Sequence, residues 1–390
     1  MENYVKFCVK WFIVCLLVFH SNVNGEEDDH GDEDHAAMES SLLSHLFSNY
    51  NTISMPFNPD GPVVVKLGMA LFKMVDLDEK HQILFSSLWM RMSWTDNRLK
   101  WNTTEFEIED LHIPYTRVWR PDITLYNDVG EDEKSLDKYP VKVHSDGSVL
   151  WLAPVLYKSY CRLDVRYFPY DQQVCPLRFG SWSFHGDHLL LTNMSESGDT
   201  SEFVDNGEWE LVAMPLKTSI KSYQCCSGTY ALVTFYIVMK RRALYYVFNI
   251  IIPCILIVAV SLLSFYLPPE SGEKVSLVVT VLLALTVFML LIADIMPPQA
   301  DVVPFIAIYF ACIIALLCLT TTMTVMIINL QYSGNHGNRV PPWLKRILFG
   351  WLARPLCLNE LIQLNLDIVK NSQVMYSFIS LSTYGYIIKY

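Results

Sequence analysis

Apolar and polar positions along the chain fall into four successive patterns. The first is one short apolar run, Trp11 to Phe19, behind Lys6 and Lys10, with small or turn-prone residues up to Gly25. It is too short to cross a bilayer and predicts a secretory leader over residues 1–25, cleaved near Gly25. Leu42, Leu43, Leu46 and Phe47 then recur at helical spacing behind Ser40 and Ser41, predicting a short opening helix. After it the period drops to two. Val63 to Leu67, Leu84 to Trp89, Val149 to Leu152 and Tyr230 to Met239 read as strands, separated by turns such as Asn58-Pro59-Asp60-Gly61 and Ser145-Asp146-Gly147. Short strands over residues 26–240 predict a β-sandwich. From residue 241 the pattern is mostly unbroken apolar, with spans expected over 245–267, 275–294 and 303–328 in a region running to 330. The expected fold class is therefore an all-β sandwich with a short N-terminal helix, followed by an all-α transmembrane helix bundle.

The second span carries a graded stripe. At helical spacing it runs Glu273, Ser276, Thr280, Leu283, Val287, Leu290 and Asp294: an acid, two hydroxyls, three apolar residues and an acid. The acids stand roughly 32 Å apart, about one hydrocarbon thickness. An ordinary bundle helix, its Ser and Thr bonded back to the backbone, is the plain reading. Several copies around an axis would instead make charged rings at two mouths and an apolar constriction between them, the parts of an ion-selective pore.

Composition sharpens this picture. The chain is 52% hydrophobic and 18% charged, with apolar residues concentrated in the second half, which indicates a membrane protein with one soluble portion. The net charge of -11 argues against a nucleic-acid partner. Much of it lies in the run Glu26, Glu27, Asp28, Asp29, Asp32, Glu33 and Asp34, expected as a solvated, disordered tail. Cys161, Cys175, Cys225 and Cys226 lie in the exported portion, where four thiols suggest two disulfides with three pairings open. Asn102 and Asn193 head Asn-x-Thr and Asn-x-Ser triplets and are the expected glycosylation sites.

Cys161 and Cys175 enclose thirteen residues containing Phe168-Pro169-Tyr170-Asp171. Together with Trp119-Arg120-Pro121-Asp122, Gly180-Ser181-Trp182 and the membrane half in the same order, this loop resembles the Cys-loop pentameric ligand-gated channels. The match is nearest to nicotinic acetylcholine receptor subunits, over about residues 38–350. The resemblance implies a ten-stranded extracellular sandwich, a Cys161–Cys175 bridge and five subunits around a pore. It also implies a bond between the adjacent Cys225 and Cys226, which with Tyr223 and Tyr230 marks the α-type subunit. That bond would close a strained ring, because neighbouring Cα atoms lie about 3.8 Å apart.

The implied ligand site is aromatic. Tyr126, Trp182, Tyr223 and Tyr230 match the family's principal face, and Trp89, Leu150 and Leu152 its complementary face. Quaternary ammonium groups have no proton to donate and are attracted to electron-rich rings instead. Trp94, Trp101, Trp119 and Trp151 are assigned to core packing. His185, Asp187 and His188 have a metal-like composition, but their spacing needs a helix where the sequence reads as loop; no metal and no cofactor is expected. An enzyme reading around Cys225 has only residue types behind it, and no enzyme is expected. The implied partners are acetylcholine or a similar quaternary ammonium agonist, sodium and potassium with calcium as a further candidate, homologous subunits in a homo- or hetero-pentamer, and a lipid bilayer. The implied location is the plasma membrane, postsynaptic, with the N-terminal domain outside.

In the membrane half, Arg241 resembles the family residue that couples the binding domain to the pore. Glu273 at the inner mouth favours cations over anions. Pro341-Pro342-Trp343 opens a basic amphipathic stretch to about Leu352, expected on the inner membrane surface. The family pattern then breaks down. Residues 331–390 read as cytosolic, and Val374 to Ile388 is short and hydroxyl-rich for a fourth span. Two readings stay open here: an agonist-gated cation channel subunit, or a truncated non-conducting subunit that modulates assembly of full-length receptors.

Overall fold

A computed structural model describes residues 30–130, 138–226, 228–264, 266–267, 272–298, 302–335 and 343. The leader, the amphipathic stretch other than Trp343, and the region around Val374 to Ile388 lie outside the described residues. The chain divides into two compact units. One holds the described residues up to Ile251 together with Leu290–Ile308, the other those of Ile252–Met289 and from Tyr309 onward.

The opening helix α1 spans His30–Phe47, longer than the stretch marked by apolar spacing; it takes in Asp32, Glu33 and Asp34, expected as disordered tail, and buries Leu42 and Leu46. Eleven strands follow among the described residues: β1 Val63–Asp78, β2 Ile83–Thr95, β3 Asp110–Ile113, β4 Ile123–Leu125, β5 Val141–His144, β6 Ser148–Tyr160, β7 Gln172–Ser181, β8 Leu189–Asn193, β9 Trp209–Ala213, β10 Leu216–Ser222 and β11 Thr229–Arg241. A four-residue helix, α2 (Thr103–Phe106), lies between β2 and β3. One sheet runs β3-β5-β6-β2-β1-β8, the other β10-β11-β7-β4 with β9 also on β11. All pairings are antiparallel except β1–β8.

The period-two residues explain the sandwich. In β2 and β6 every second side chain is buried, so Met90, Met92 and Trp94 share a core face with Trp151 and Ala153. Leu177, Phe179, Val233, Phe235 and Ile237 supply the buried face of the other sheet. The Cys161–Cys175 disulfide links the end of β6 to β7, one sheet to the other. Ten strands were implied and eleven are present, because β9 and β10 both pair with β11 and are separated at Met214-Pro215. A proline has no N–H for a ladder, so one long edge strand reads as two.

Three further helices are long and apolar enough to cross a membrane: α3 Leu244–Leu263, α4 Lys274–Ile295, and α5 Phe305–Asn335, whose apolar part is Phe305–Leu330. In α3 a π turn at Val247–Ile251 precedes Pro253. Proline removes one helical hydrogen bond and crowds the preceding turn, and a widened turn relieves both. The helix ends at Leu263, four residues before the expected 267. Turn bonds from Ser264 N to Ser261 O and from Tyr266 N to Leu263 O follow, shortly before Pro268.

Candidate functional site

Four of the predicted aromatics converge at one end of the five-stranded sheet. Tyr126 follows β4 and Trp182 follows β7; their rings meet edge-on at 5.8 Å. Tyr223 and Tyr230 flank the β10–β11 hairpin, their rings edge-on at 5.7 Å. Burial pushes the Tyr126 phenol up to about 12, and the nearby hydroxyls of Tyr223 and Tyr230 act in the same direction. Trp182 is 70% exposed, and Tyr223 is exposed to a lesser extent. A large indole left in solvent beside three phenols is not part of the packed core.

Two local features hold this cluster. Gly180 leaves room for Tyr126: a Cβ there would stand 2.5 Å from Leu232 Cδ2 and 3.0 Å from the Tyr126 ring. Asp122 clamps the segment carrying Trp182, accepting hydrogen bonds from Ser181 Oγ (2.5 Å) and Ser183 N (2.6 Å). The sequence reading missed Asp122 as a positioning residue. Its signal lay in the Trp119-Arg120-Pro121-Asp122 motif, but its partner is 59 residues away.

Cys225 and Cys226, expected as a bonded pair, stand in the structure as exposed thiols at the hairpin tip. Adjacent cysteines on an ordinary trans peptide hold their Cα atoms closer than a disulfide normally spans. The tip instead turns through a weak bond from Cys226 N to Tyr223 O at 3.4 Å.

Trp89, Leu150 and Leu152 lie in the other sheet. Trp89 pairs in register with Pro154, and Arg91 and Ser93 with Leu152 and Leu150, so all share the outward face of β2 and β6. Trp89 is half-buried and stacks on Phe72 at 5.4 Å, whereas Leu152 is exposed. The core assignments agree with burial: Trp94, Trp119 and Trp151 are buried, and the half-buried Trp101 donates its indole N–H to Ile108 O at 2.7 Å.

Arg241, at the end of β11, is fully buried in a ring of acids and aromatics. Its Nε donates to Asp171 Oδ1 at 2.7 Å, and Nη1 reaches Glu79, Glu208 (3.3 Å) and Tyr246 Oη (3.3 Å). The guanidinium also lies over the rings of Trp209 (4.2 Å) and Phe168 (4.9 Å). Three carboxylates share one cation, and burial raises the Glu79 carboxyl above its ordinary range despite Arg241. Sequence reasoning picked out Arg241 alone, because its partners come from three separate segments.

Along α4 and at Glu273 just before it, every residue of the predicted stripe is exposed: Glu273, Ser276, Thr280, Leu283, Val287, Leu290 and Asp294. Val278, Val281, Leu285 and Ile292 form the buried face. Thr280 Oγ1 donates back to Leu277 O at 2.8 Å, as the plain helix reading requires of a hydroxyl in an apolar segment. Asp294, expected at one mouth, is ion-paired to Lys80 in the β1–β2 turn at 2.7 Å. A lysine in that turn could not be matched to Asp294 by sequence, with 214 positions between them.

Comparison with known proteins decides the family. Residues 39–243 match the neurotransmitter-gated ion-channel ligand binding domain, and residues 250–376 match the neurotransmitter-gated ion-channel transmembrane region. The chain belongs to this family. It is similar to the neuronal acetylcholine receptor subunit alpha-9 of Gallus gallus, with 41% identity over 80% of this chain and 65% of that one. It is also similar to subunit alpha-10 of Homo sapiens (41% identity, 82% and 71%) and alpha-2 of Gallus gallus (36%, 89% and 65%). The chain thus spans just under two thirds of the alpha-9 relative's length. The relatives are receptor subunits of a ligand-gated channel family rather than enzymes, and with three candidate spans among its described residues this member of the family is a plasma-membrane protein with its N-terminal domain outside.

Several expected residues of this channel subunit sit outside the aromatic cluster. Asn102 and Asn193 are exposed, and Asn102 caps α2 by accepting from Thr104 N at 3.1 Å. His185 and His188 stand on a single helix-like turn, with His188 N and Leu189 N both on His185 O and ring centroids 4.5 Å apart. The stretch expected as plain loop thus has a helical turn. Among the described residues no three His, Cys, Asp or Glu side chains gather as a metal group.

Proposed function

We propose that the chain is a subunit of an acetylcholine-gated, cation-selective channel, acting as the principal face of an agonist site between neighbouring subunits of a pentamer. The observation that carries this reading is the cluster of Tyr126, Trp182, Tyr223 and Tyr230, with the Trp182 indole turned to solvent. Electron-rich faces around one space suit a quaternary ammonium ion, each desolvated contact contributing about 2 kcal/mol. Trp89, Leu150 and Leu152 lie on an outward sheet face, so a neighbouring subunit would offer them to that space. The second half of the proposal is a pore lined by Glu273, Ser276, Thr280, Leu283, Val287, Leu290 and Asp294, conducting sodium and potassium, with calcium as a further candidate. Their common exposure on one face of α4 supports it.

The deciding experiment compares Trp182→Ala with Trp94→Ala in receptors that contain this chain. Trp182→Ala should weaken acetylcholine binding roughly thirtyfold with surface expression intact. Trp94→Ala, emptying a buried site, should lower expression and leave the affinity of surviving receptors near normal. Equal losses of affinity in both would refute the aromatic site.

A further inference from the structure

The outward sheet face that carries Trp89 also carries a charge. Arg91 is two residues along β2, roughly 7 Å away on the same face, and opposite Leu152 in register. An uncompensated guanidinium there would repel a cation seated on the Trp89 ring. It is compensated: Arg91 Nη2 pairs with Asp199 Oδ2 at 2.8 Å, both side chains about one-third exposed.

The pair depends on local construction. The segment after β8 runs along the free edge of β1, with Asp199 N donating to Met69 O and Leu71 N donating to Asp199 O, both at 2.9 Å. This sets Asp199 beside Ala70, which itself pairs with Trp89. Between Arg91 and that edge lies Gly68, Arg91's partner in register. A Cβ at Gly68 would meet Met194 Sδ at 3.2 Å and Arg91 Cβ at 3.6 Å. With only Gly68 and Ala70 on this part of β1, the guanidinium can cross the strand to the carboxylate. Asp199 is also fixed by Ser201, whose N and Oγ donate to Oδ1 at 3.0 and 2.7 Å. These bonds and Arg91 hold its carboxyl below the usual range, so it remains ionised at neutral pH.

We infer that Arg91 and Asp199 form a specificity-determining pair on the complementary half-site, in which Asp199 masks Arg91 so that the face beside Trp89 accepts a cationic agonist. The inference rests on the agonist-site reading above. It assigns Asp199 to charge cancellation rather than ligand contact, and makes Arg91 the residue that excludes cations when unmasked. At roughly 7 Å near a protein surface, one full charge changes the affinity of a cation on the order of tenfold.

The test is equilibrium binding of tritiated acetylcholine, with tetramethylammonium as competitor, to intact cells expressing the full chain together with full-length nicotinic subunits. Surface receptors are counted separately. Asp199→Asn should weaken both ligands about tenfold, and the loss should shrink as ionic strength rises. Arg91→Gln should strengthen both, and Arg91→Gln/Asp199→Asn should return to within about threefold of the unsubstituted receptor. A double variant as weak as Asp199→Asn would overturn the masking role, since the carboxylate would then be acting by itself. If Asp199→Asn fails to reach the surface, Arg91→Gln decides: unchanged or weaker binding overturns the inference. Trp89→Ala in the same assay separates the two readings. If it leaves binding intact, the agonist-site assignment of this face fails; if it weakens binding while the charge series stays flat, only the masking pair fails.

Discussion

Arg241 and Asp171 meet through two hydrogen bonds, at 2.7 and 3.2 Å, although seventy residues separate them. Asp171 belongs to the loop closed by Cys161–Cys175, and Arg241 is the last residue of β11, immediately before the first candidate span. Gln173 donates to the same carboxylate at 2.6 Å. The disulfide loop is thereby tied to the end of β11 by charge as well as by packing, with Phe168 under the guanidinium.

Breaking that pair from one side should be costly. Asp171→Ala leaves a buried guanidinium short of an acceptor, and loss of one partner of a buried ion pair costs about 3–5 kcal/mol. We expect a large fall in surface expression and a thermal midpoint lowered by several degrees in solubilised receptor. Expression and midpoint equal to those of the unsubstituted chain would show that Glu79 and Glu208 suffice for Arg241.

Glu79 gives a pH dependence of definite sign. Its carboxyl is raised in the folded chain, first because burial penalises the anion and then because Asp171 and Glu208 are near. The folded state therefore holds a proton that the unfolded state has already released. Stability from this group is fully present below the ordinary carboxylate value and declines as pH rises through the folded one. Unfolding of the extracellular portion, followed by tryptophan fluorescence from pH 4 to 8, should show that decline, and Glu79→Gln should flatten it. A slope of the same size in both proteins would place its origin elsewhere.

Gly180→Ala tests the packing behind the aromatic cluster. The added methyl would stand 2.5 Å from Leu232 and 3.0 Å from the Tyr126 ring, so one or both must move. Overpacking of this kind costs about 1–3 kcal/mol. Acetylcholine affinity should fall about tenfold or more, with a smaller fall in thermal midpoint. An unaltered affinity would mean that Tyr126 is not needed where it stands.

The pore reading predicts different outcomes for the two acids of α4. Glu273 carries no ion pair among the described contacts, whereas Asp294 is held by Lys80. Glu273→Ala should shift reversal potentials toward lower sodium over chloride permeability, and Asp294→Ala should mainly lower conductance. Leu283→Ser, wetting the apolar middle of the stripe, should open the channel at lower agonist concentration. Recordings from receptors shown to contain this chain decide it. Reversal potentials unmoved by Glu273→Ala would remove that residue from ion selection.

What the sequence by itself determined is what repeats locally. The period-two runs at Val63 to Leu67, Leu84 to Trp89 and Tyr230 to Met239 lie within β1, β2 and β11, because alternation along a strand is the same signal wherever its partner lies. The stripe on α4 was legible for the same reason, since helical spacing alone puts its seven residues on one face. The aromatic cluster was legible only through family-like motifs, because nothing in the spacing of Tyr126, Trp182, Tyr223 and Tyr230 brings them together. Tertiary structure alone decided the long-range electrostatics. The acids around Arg241, the Asp122 clamp under Trp182, Lys80 on Asp294 and Asp199 on Arg91 join residues from 33 to 214 positions apart. A charge pair has no period, and its energy depends on distance and burial that exist only once the sheets have formed.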